Sequence, residues 1–424
     1  MSVQPGRLGA AFLADVEAAL APADAVLADR YPGDDGSRQP VHTVYVPADR
    51  YSADLSEKWG LAALDTAASH GGLAAIARAT VADTDSAASA LADLVEGKLR
   101  SEPIEDLRID FEDGYGARPD DEEDAAVDAA VAAVRQAGDT SPPFLGIRFK
   151  CFEADVRARG LRTLDLFVAG LAETGDLPPG LTLTLPKVTS TDQVVAMVSV
   201  ARELERVHGL PQGRIGFEIQ VETPQSVMSA DGTAAVAPMI HAGEGRVTAL
   251  HYGTYDYSAS LGIAAAYQSM EHPAADHAKA VMQLAAAGTG VRLSDGSTNI
   301  LPVGDPEAVE AGWALHARLV RRHLERGFYQ GWDLHPAQLV TRFLATYAFY
   351  RDGFDSAAVR LRNYAHRIES SVLDEPATAR ALAGFIRRGE VCGALTVDEV
   401  ETATDLPIAK VRELALHHSQ RTAR

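Results

Sequence analysis

The stretch RIGFEIQVETP, at residues 214–224, constrains the fold of this chain more than any other segment. It has the apolar and β-branched content of a buried strand, yet Glu218, Gln220 and Glu222 occupy every second position. Because alternate residues of a strand share a face, two carboxylates and an amide must point to the same side. If that side faced solvent, the apolar side alone would form a core and the pattern would be ordinary.

Two other predicted strands repeat this alternation, with charges of both signs. The segment DLRIDFEDG carries Arg108, Asp110 and Glu112 on one parity, and LGIRFK carries Arg148. Strands that each oppose an apolar face to a face of mixed charge are typical of a closed barrel, in which interior and exterior residues alternate. We therefore predict that these strands form one barrel whose interior is polar at one end.

Eight strand-like segments alternate with helix-length segments along the chain. They are VHTVYVPA (41–48), DLRIDFEDG (106–114), LGIRFK (145–150), LTLTLPKV (181–188), RIGFEIQVETP (214–224), RVTALHYGTYD (246–256), VRLSDGS (291–297) and GWDLHPAQ (331–338). This count predicts the α/β class and a (β/α)8 TIM barrel. We expect an N-terminal helical extension over 1–40, a barrel catalytic domain over 41–338, and a C-terminal helical arm or cap over 339–424.

Charge and composition exclude several kinds of partner. The 424 residues carry a formal net charge of −20, whereas nucleic acids and anionic membranes attract basic surfaces. The first residues lack the pattern of a signal peptide, and no apolar run reaches the roughly 20 residues of a membrane span. The two cysteines, Cys151 and Cys392, lie far apart without metal-ligand spacing. We expect a cytoplasmic protein with reduced thiols that binds neither nucleic acid nor membrane.

Polar residues collect at the carboxyl ends of the predicted strands, where barrels of this type place their active sites. Glu222 and Asp256 end consecutive strands, so their carboxylates could share one hard cation. Mg²⁺ suits such a site because it commonly takes one or two carboxylates and keeps several waters, with Mn²⁺ as an alternative. The simpler interpretation is that each carboxylate only pairs with Arg148 or Lys187.

The other residues at the strand ends are candidate substrate ligands. The guanidinium of Arg148 offers a planar fork that fits a carboxylate or an enolate oxygen. Lys187 follows a proline and could either reach the substrate or bridge to a carboxylate. Asp295 and His335, at the ends of the seventh and eighth strands, complete the predicted substrate-binding set.

Seven short segments, in order, resemble the citrate lyase beta-subunit-like enzymes of the HpcH/HpaI aldolase group, which include malyl-CoA lyases and are akin to malate synthase. The segments are VYVPA, DFEDG, IRFK, LPKV, VETP, GTYDYSASLG and LHPAQ. Together they span residues 44–338 and identify the chain as a divergent member. It departs from the family pattern at Lys150, which stands where the family has Asn, and in the long region 51–99 that enlarges the first βα unit.

The resemblance implies a TIM barrel that binds Mg²⁺ through Glu222 and Asp256. Arg148 would hold the substrate and stabilise enolate charge, and Glu112 would lie buried close to the waters of the metal. The implied reaction is reversible carbon–carbon cleavage or condensation through a metal-stabilised enolate of a small carboxylic acid or its CoA thioester. VLDEPATARAL resembles a segment with which lyase relatives reach a neighbouring subunit's site, which implies a homo-oligomer and a catalytic Asp374.

Other functions stay open. One is a CoA-independent aldolase of 2-oxo acids such as pyruvate, or other chemistry through a pyruvate enolate or phosphoenolpyruvate. Another is a non-catalytic subunit that binds a metabolite or carrier within a lyase complex. Arg157, Arg159 and Arg162 could meet the phosphates of CoA or could form a solvated helix face. The general base is open among Asp374, Asp333 and His335.

Overall fold

Eight parallel strands form a closed barrel at the centre of the molecule. The computed structural model of the chain describes residues 8–173, 175, 177–368 and 375–416. The strands are β1 (His42–Pro47), β2 (Asp106–Asp110), β3 (Phe144–Arg148), β4 (Thr182–Leu185), β5 (Gly216–Val221), β6 (Val247–Tyr252), β7 (Arg292–Ser294) and β8 (Gly331–Asp333). Their order is β7-β6-β5-β4-β3-β2-β1-β8, and Ser294 bridges Gln330 across the remaining edge. The predicted (β/α)8 barrel is confirmed.

Helices surround this barrel, and further helices precede its first strand and follow its last strand. They are α1 (Ala10–Arg30), α2 (Leu55–Ser69), α3 (Gly72–Thr80), α4 (Asp85–Ser101), α5 (Asp120–Ala137), α6 (Arg157–Ala172), α7 (Thr191–His208), α8 (Pro224–Val227), α9 (Val236–Ala242), α10 (Thr254–Ser260), α11 (Pro273–Ala286), α12 (Pro306–Glu325), α13 (Pro336–His366), α14 (Pro376–Val391), α15 (Val397–Thr404) and α16 (Ile408–Ala415). Within the described ranges, no helix combines the length and the apolar character needed to cross a membrane.

Local sequence explains where several helices begin. The hydroxyls of Thr84 and Thr223 and the carboxylate of Asp305 each accept a backbone N–H in the first turn of α4, α8 and α12, which satisfies a donor that a helix start leaves free. Thr396 and Glu399 form a reciprocal capping box at α15. These caps fix the residue at which each of the four helices begins.

The long helix α13 joins the barrel to the C-terminal helices. Its first half packs into the barrel's core cluster through Phe343 and Leu344. Its second half contributes Phe354 and Leu361 to a separate core that also contains residues of α14, α15 and α16. The eighth barrel helix therefore continues into the stretch predicted as a C-terminal arm, while the division of the chain into domains stays a prediction.

The barrel interior is polar at both ends, whereas the sequence pattern predicted one polar end. At the amino end, Arg108 donates to both oxygens of Glu218, at 3.1 and 2.7 Å, and also pairs with Asp106. Burial would raise the pKa of Glu218, but the charge of Arg108 outweighs it and holds that pKa well below its usual range. Charges of opposite sign on β2 and β5, which are not adjacent in the sheet, thus pair across the interior.

Candidate active site

Lys187 lies at the centre of a group of carboxylates at the carboxyl end of the barrel. Its ammonium bonds the Glu112 carboxylate and lies 2.7 Å from Asp113 Oδ1 and 4.0 Å from Asp256 Oδ2. Its backbone N–H donates to Glu222 Oε1 at 2.8 Å. One residue therefore contacts four acidic side chains, and we call these five residues the Lys187 cluster.

The backbone of Lys187 adopts an unusual conformation. Its φ is +49°, in the left-handed region that residues other than glycine enter at a cost of order 1–3 kcal/mol. Lys187 lies two residues beyond β4, where the chain turns away from the barrel. In this turn the backbone N–H donates to Glu222 while the side chain reaches across to Glu112, so one residue links the ends of β2 and β5.

Glu222 is the most enclosed carboxylate of the Lys187 cluster. It follows β5 directly and is 1% exposed. Its Oε2 accepts a hydrogen bond from Gln220 Nε2 at 2.6 Å, and Oε1 accepts the backbone bond of Lys187 already described. A Cβ atom at Gly253 would come within 2.4 Å of both Cβ and Oε2 of Glu222. Glycine is therefore required at position 253 for Glu222 to lie where it does.

The Lys187 cluster holds more negative than positive charge. Burial, together with the charges of Asp256 and Glu112, raises the pKa of Glu222 to about 8. Burial also raises the pKa of Glu112 to about 7, and the neighbouring charge of Asp113 adds to the effect. The group thus contains four carboxyl groups and one ammonium, which contacts three of them. A divalent cation placed among them would offset the excess.

Arg148 lies beside the Lys187 cluster at the end of β3. The strand register sets it opposite Asp110, and its Nε and Nη2 donate to the two oxygens of Asp110 at 2.8 and 2.6 Å. Its Nη1 is 3.4 Å from Glu112 Oε2, and the guanidinium lies 5.0 Å from the centroid of the Tyr45 ring. One edge of the guanidinium is therefore held by Asp110, and the Nη1 edge faces the cluster.

Asp110 is a residue of the site that the sequence did not single out for a role. Besides Arg148, it accepts the backbone N–H groups of Glu112 at 3.0 Å and Gly114 at 2.8 Å. It therefore fixes both the arginine and the turn that carries Glu112. The one indication in the sequence was its alternation with Arg108, which placed Asp110 on the interior face.

The carboxylates present fit a hard divalent cation. Glu222 is buried, Asp256 is 45% exposed at its side chain, and the two interact strongly enough for Asp256 to raise the pKa of Glu222. No group of three or more His, Cys, Asp or Glu side chains in the described ranges has the arrangement of a metal site. Mg²⁺ or Mn²⁺ needs only one or two carboxylates, because waters and substrate oxygens complete the shell.

Two predicted substrate ligands, Asp295 and His335, lie outside the Lys187 cluster. Both oxygens of Asp295 accept from Lys279, at 3.0 and 2.9 Å, and the aspartate is buried. His335 Nδ1 accepts the backbone N–H of Ala337 at 3.2 Å and caps α13. In the part of the chain that the structure describes, neither side chain contacts the Lys187 cluster, so their substrate-binding role stays a prediction.

Asp333, a candidate general base, belongs to the barrel wall. Its Oδ2 lies 2.7 Å from His42 Nδ1, and Arg342 donates to both of its oxygens. Burial would raise its pKa, but the Arg342 charge and the nearby His316, whose Nε2 lies 3.1 Å from Oδ1, hold that pKa well below the usual range. Such a carboxylate is a poor proton acceptor. Asp374, the other acidic candidate, lies outside the described residues.

Lys150, where the chain departs from the family pattern, is also engaged in structure. Its ammonium donates to Glu123 Oε2 at 2.5 Å and to the carbonyl oxygen of Phe111 at 2.8 Å. It therefore ties β3 to α5 rather than facing the Lys187 cluster.

The fold and the site together define a TIM barrel with a group of acidic side chains at its carboxyl end. The chain belongs to the family described as Domain of unknown function (DUF6986), whose profile matches residues 20–419. A search of curated proteins finds no match.

Several solved structures are similar to the chain. Malate synthase of Haloferax volcanii, as its lead(II) complex, is 14% identical with a TM-score of 0.49, over 89% of this chain and 90% of that one. CitE of Mycobacterium tuberculosis, with magnesium, acetoacetate and coenzyme A, is 20% identical with a TM-score of 0.48, over 84% and 100%. An HpcH/HpaI aldolase of Desulfitobacterium hafniense DCB-2 is 16% identical with a TM-score of 0.39, over 72% and 89%. At these values the relatives' activities do not transfer to this chain.

Proposed function

We propose that this chain is an enzyme that holds Mg²⁺ or Mn²⁺ with Glu222 and Asp256. It would make or break a carbon–carbon bond through the enolate of a small carboxylic acid or of its CoA thioester. The observation that carries the proposal is the Lys187 cluster, in which the ammonium of Lys187 contacts three carboxylates and its backbone N–H bonds a fourth, that of Glu222. The cluster lies at the carboxyl end of the barrel strands, which is where active sites of (β/α)8 enzymes form.

The residues of the site divide the work between binding and charge stabilisation. A divalent cation, when bound, would act as a Lewis acid on a substrate carbonyl. Arg148 presents its Nη1 edge to the same space and supplies a fixed positive charge where negative charge develops on the substrate oxygen. Asp110 holds the other edge of this guanidinium, so Arg148 is oriented before the substrate arrives.

Glu112 is a catalytic candidate because its carboxylate lies between the two cations of the site. Its Oε1 bonds the ammonium of Lys187 and its Oε2 is 3.4 Å from Arg148 Nη1. We also propose that Asp374 is supplied to the site by a neighbouring subunit, because the segment that carries it resembles one that has this role in lyase relatives. This role requires a homo-oligomer, which light scattering of the purified protein tests.

The test is metal-dependent turnover in variants of the two ligands. Glu222→Ala and Asp256→Ala should each lower turnover of the active substrate, found among 2-oxo acids and acyl-CoA thioesters, by more than about a hundredfold, since even outer-shell changes cost 10–100-fold. The matched control is Glu203→Ala, an exposed glutamate on α7, which should leave turnover unchanged. Wild-type turnover in either ligand variant would contradict the proposal, and a wild-type protein without turnover would favour a non-catalytic binding subunit.

One observation favours the CoA-independent form of this chemistry as a second candidate. Of the three arginines that could meet CoA phosphates, Arg159 and Arg162 both bind Asp124 on α5, with Nη2 contacts of 2.5 and 2.6 Å. The charges of these two are thereby offset within the fold. Nε of the third, Arg157, donates to the carbonyl oxygen of Phe152 at 3.0 Å. Turnover of pyruvate with an aldehyde in the absence of CoA would support this second candidate, and a strict requirement for a thioester would exclude it.

A further inference from the structure

Gln220 is a buried polar residue that the proposed chemistry leaves without a role. It lies on β5 two residues before Glu222, on the same interior face, and pairs in register with His251 of β6. It is 1% exposed. Its Nε2 donates to Glu222 Oε2 at 2.6 Å, while its Oε1 accepts no hydrogen bond from the described residues. Within those ranges, Glu222 is the one hydrogen-bond partner of this carboxamide.

Stability does not explain an amide at this position. A buried carbonyl oxygen that accepts no hydrogen bond costs free energy, and an unbranched apolar side chain would fill similar space without that cost. The neighbouring interior residue Glu218, in contrast, is bonded by both Arg108 and Thr184. The amide of Gln220 is therefore directed toward Glu222 rather than toward the packing of the barrel.

The position of the amide completes the support around Glu222. Each carboxylate oxygen accepts one fixed donor, Oε1 from the backbone of Lys187 and Oε2 from Gln220. Each oxygen keeps a further lone pair for a cation. With Gly253 closing the space behind it, the carboxylate can neither rotate nor retreat without losing a hydrogen bond.

We propose that Gln220 is a positioning residue, which holds Glu222 in the orientation that binds the divalent cation. This inference rests on the proposed function, because it takes Glu222 to be a ligand of that cation. Hydrogen-bond partners of metal ligands typically change metal affinity by 10–100-fold when removed. The same range is expected here, since Gln220 supplies one of two donors to the carboxylate.

The test is titration of the full-length, metal-free protein with Mn²⁺ alone, followed by calorimetry or by the loss of the free-ion spin-resonance signal. Gln220→Met keeps the length of the side chain and removes the donor. We expect its Mn²⁺ affinity to fall about 10–100-fold. Its free energy of unfolding without metal should change by less than about 3 kcal/mol, since loss of the donor to Glu222 and removal of the unpaired carbonyl oxygen act in opposite directions. A residue with only a structural role would show the reverse, a loss of stability with unchanged affinity.

Gln330→Met is the matched control. Gln330 is equally buried, but it lies at the amino end of the barrel, where its Nε2 donates to Thr43 Oγ1 at 2.8 Å. This variant should keep the wild-type Mn²⁺ affinity whatever its stability. Gln220→Asn, which withdraws the amide by one methylene, should weaken Mn²⁺ binding in the same direction as Gln220→Met and gives a second measurement at the same position.

Glu222→Gln separates the two proposals. If Glu222→Gln abolishes Mn²⁺ binding while both Gln220 variants bind as tightly as the wild type, the role of Gln220 is wrong and the metal site stands. If Glu222→Gln binds Mn²⁺ like the wild type, the metal site itself is wrong and the inference falls with it. Weakened binding in Glu222→Gln and in both Gln220 variants, with retained stability, supports both.

Discussion

At the scale of single residues, Lys187 sets the balance of charge in the site. Burial lowers its pKa, but the charges and hydrogen bonds of Glu112 and Asp113 outweigh burial and raise it. The side chain therefore remains an ammonium among carboxylates at neutral pH. A divalent cation bound by the carboxylates of the Lys187 cluster would lie within a few ångströms of this ammonium. The two positive charges would repel each other.

We therefore predict that Lys187→Met binds Mn²⁺ more tightly than the wild type. Removing one positive charge beside a divalent ion relieves a repulsion worth more than 1 kcal/mol at this range, so the affinity should rise about tenfold or more. Lys187→Arg keeps the charge and should bind as the wild type does. Weaker binding by Lys187→Met in the same titration would show that the ammonium supports the cation site instead of opposing it.

Gly253 gives a steric test of the position of Glu222. A methyl group at residue 253 would lie 2.4 Å from the Glu222 side chain, and overpacking of this kind costs about 1–3 kcal/mol. Gly253→Ala should lower the free energy of unfolding by that amount and weaken Mn²⁺ binding, because the carboxylate must move.

The control for this substitution is Gly97→Ala. Gly97 lies in α4, where an added Cβ atom would have nothing within 4 Å. Alanine there should therefore be neutral or stabilising by about 0.5–1 kcal/mol. Equal stability and equal Mn²⁺ affinity in Gly253→Ala and in the wild type would mean that Glu222 has room to relax.

At the scale of elements, the alternation within each strand predicted which side chains face the barrel interior. It did not predict their partners, since a period of two gives a face and not the residue on the next strand. Asp110 and Gln220 were on the correct face for this reason. The role of Asp110 came only from its register with Arg148 of β3, and that of Gln220 only from its contact with Glu222. The predicted strand at 214–224 was also too long, because Thr223 caps α8 and Pro224 begins that helix.

The ion pair of Glu218 and Arg108 joins β5 to β2 inside the barrel, and we predict that it makes stability depend on pH. The folded-state pKa of Glu218 is lowered, so its contribution is complete above the unfolded pKa of about 4.3 and is lost as pH falls below that value. Glu218→Gln should lower the free energy of unfolding at pH 7 by about 3–5 kcal/mol, because Arg108 loses a buried partner.

Urea unfolding between pH 7 and pH 3 measures this effect. The decline of stability below about pH 4.3 should be shallower in Glu218→Gln than in the wild type, since one of the carboxylates that cause it is gone. Glu203→Gln, in an exposed pair with Arg206, should leave the pH profile unchanged. Parallel wild-type and Glu218→Gln profiles would contradict the role given to the buried pair.

At the scale of the whole molecule, the order of strands and helices was readable because βα alternation leaves a strong signature along the chain. The eight strands, the N-terminal helix and the helical C-terminal region are all present. The continuity of α13 across the predicted boundary at 338 was not readable, because helical periodicity carries no mark where packing passes from one core to another. All residues of α1 are exposed, consistent with its prediction as an extension.

The site was predictable in part for the same reason. Strand ends placed Glu112, Arg148, Lys187, Glu222 and Asp256 at one end of the barrel, and the structure brings them together. Asp295 ends a strand as well, but its buried pairing with Lys279 depends on a helix 16 residues earlier in the chain, which no strand pattern reveals.

The most direct test of the central claim is a crystal structure of the protein grown with Mg²⁺ and soaked with pyruvate, oxaloacetate or glyoxylate. We predict one metal ion bound by Glu222 and Asp256, with a 2-oxo acid between that ion and the Nη1 edge of Arg148. Density for an acid without a metal, or a metal bound away from both carboxylates, would contradict this prediction. Lys187 would then be the cation that neutralises these carboxylates.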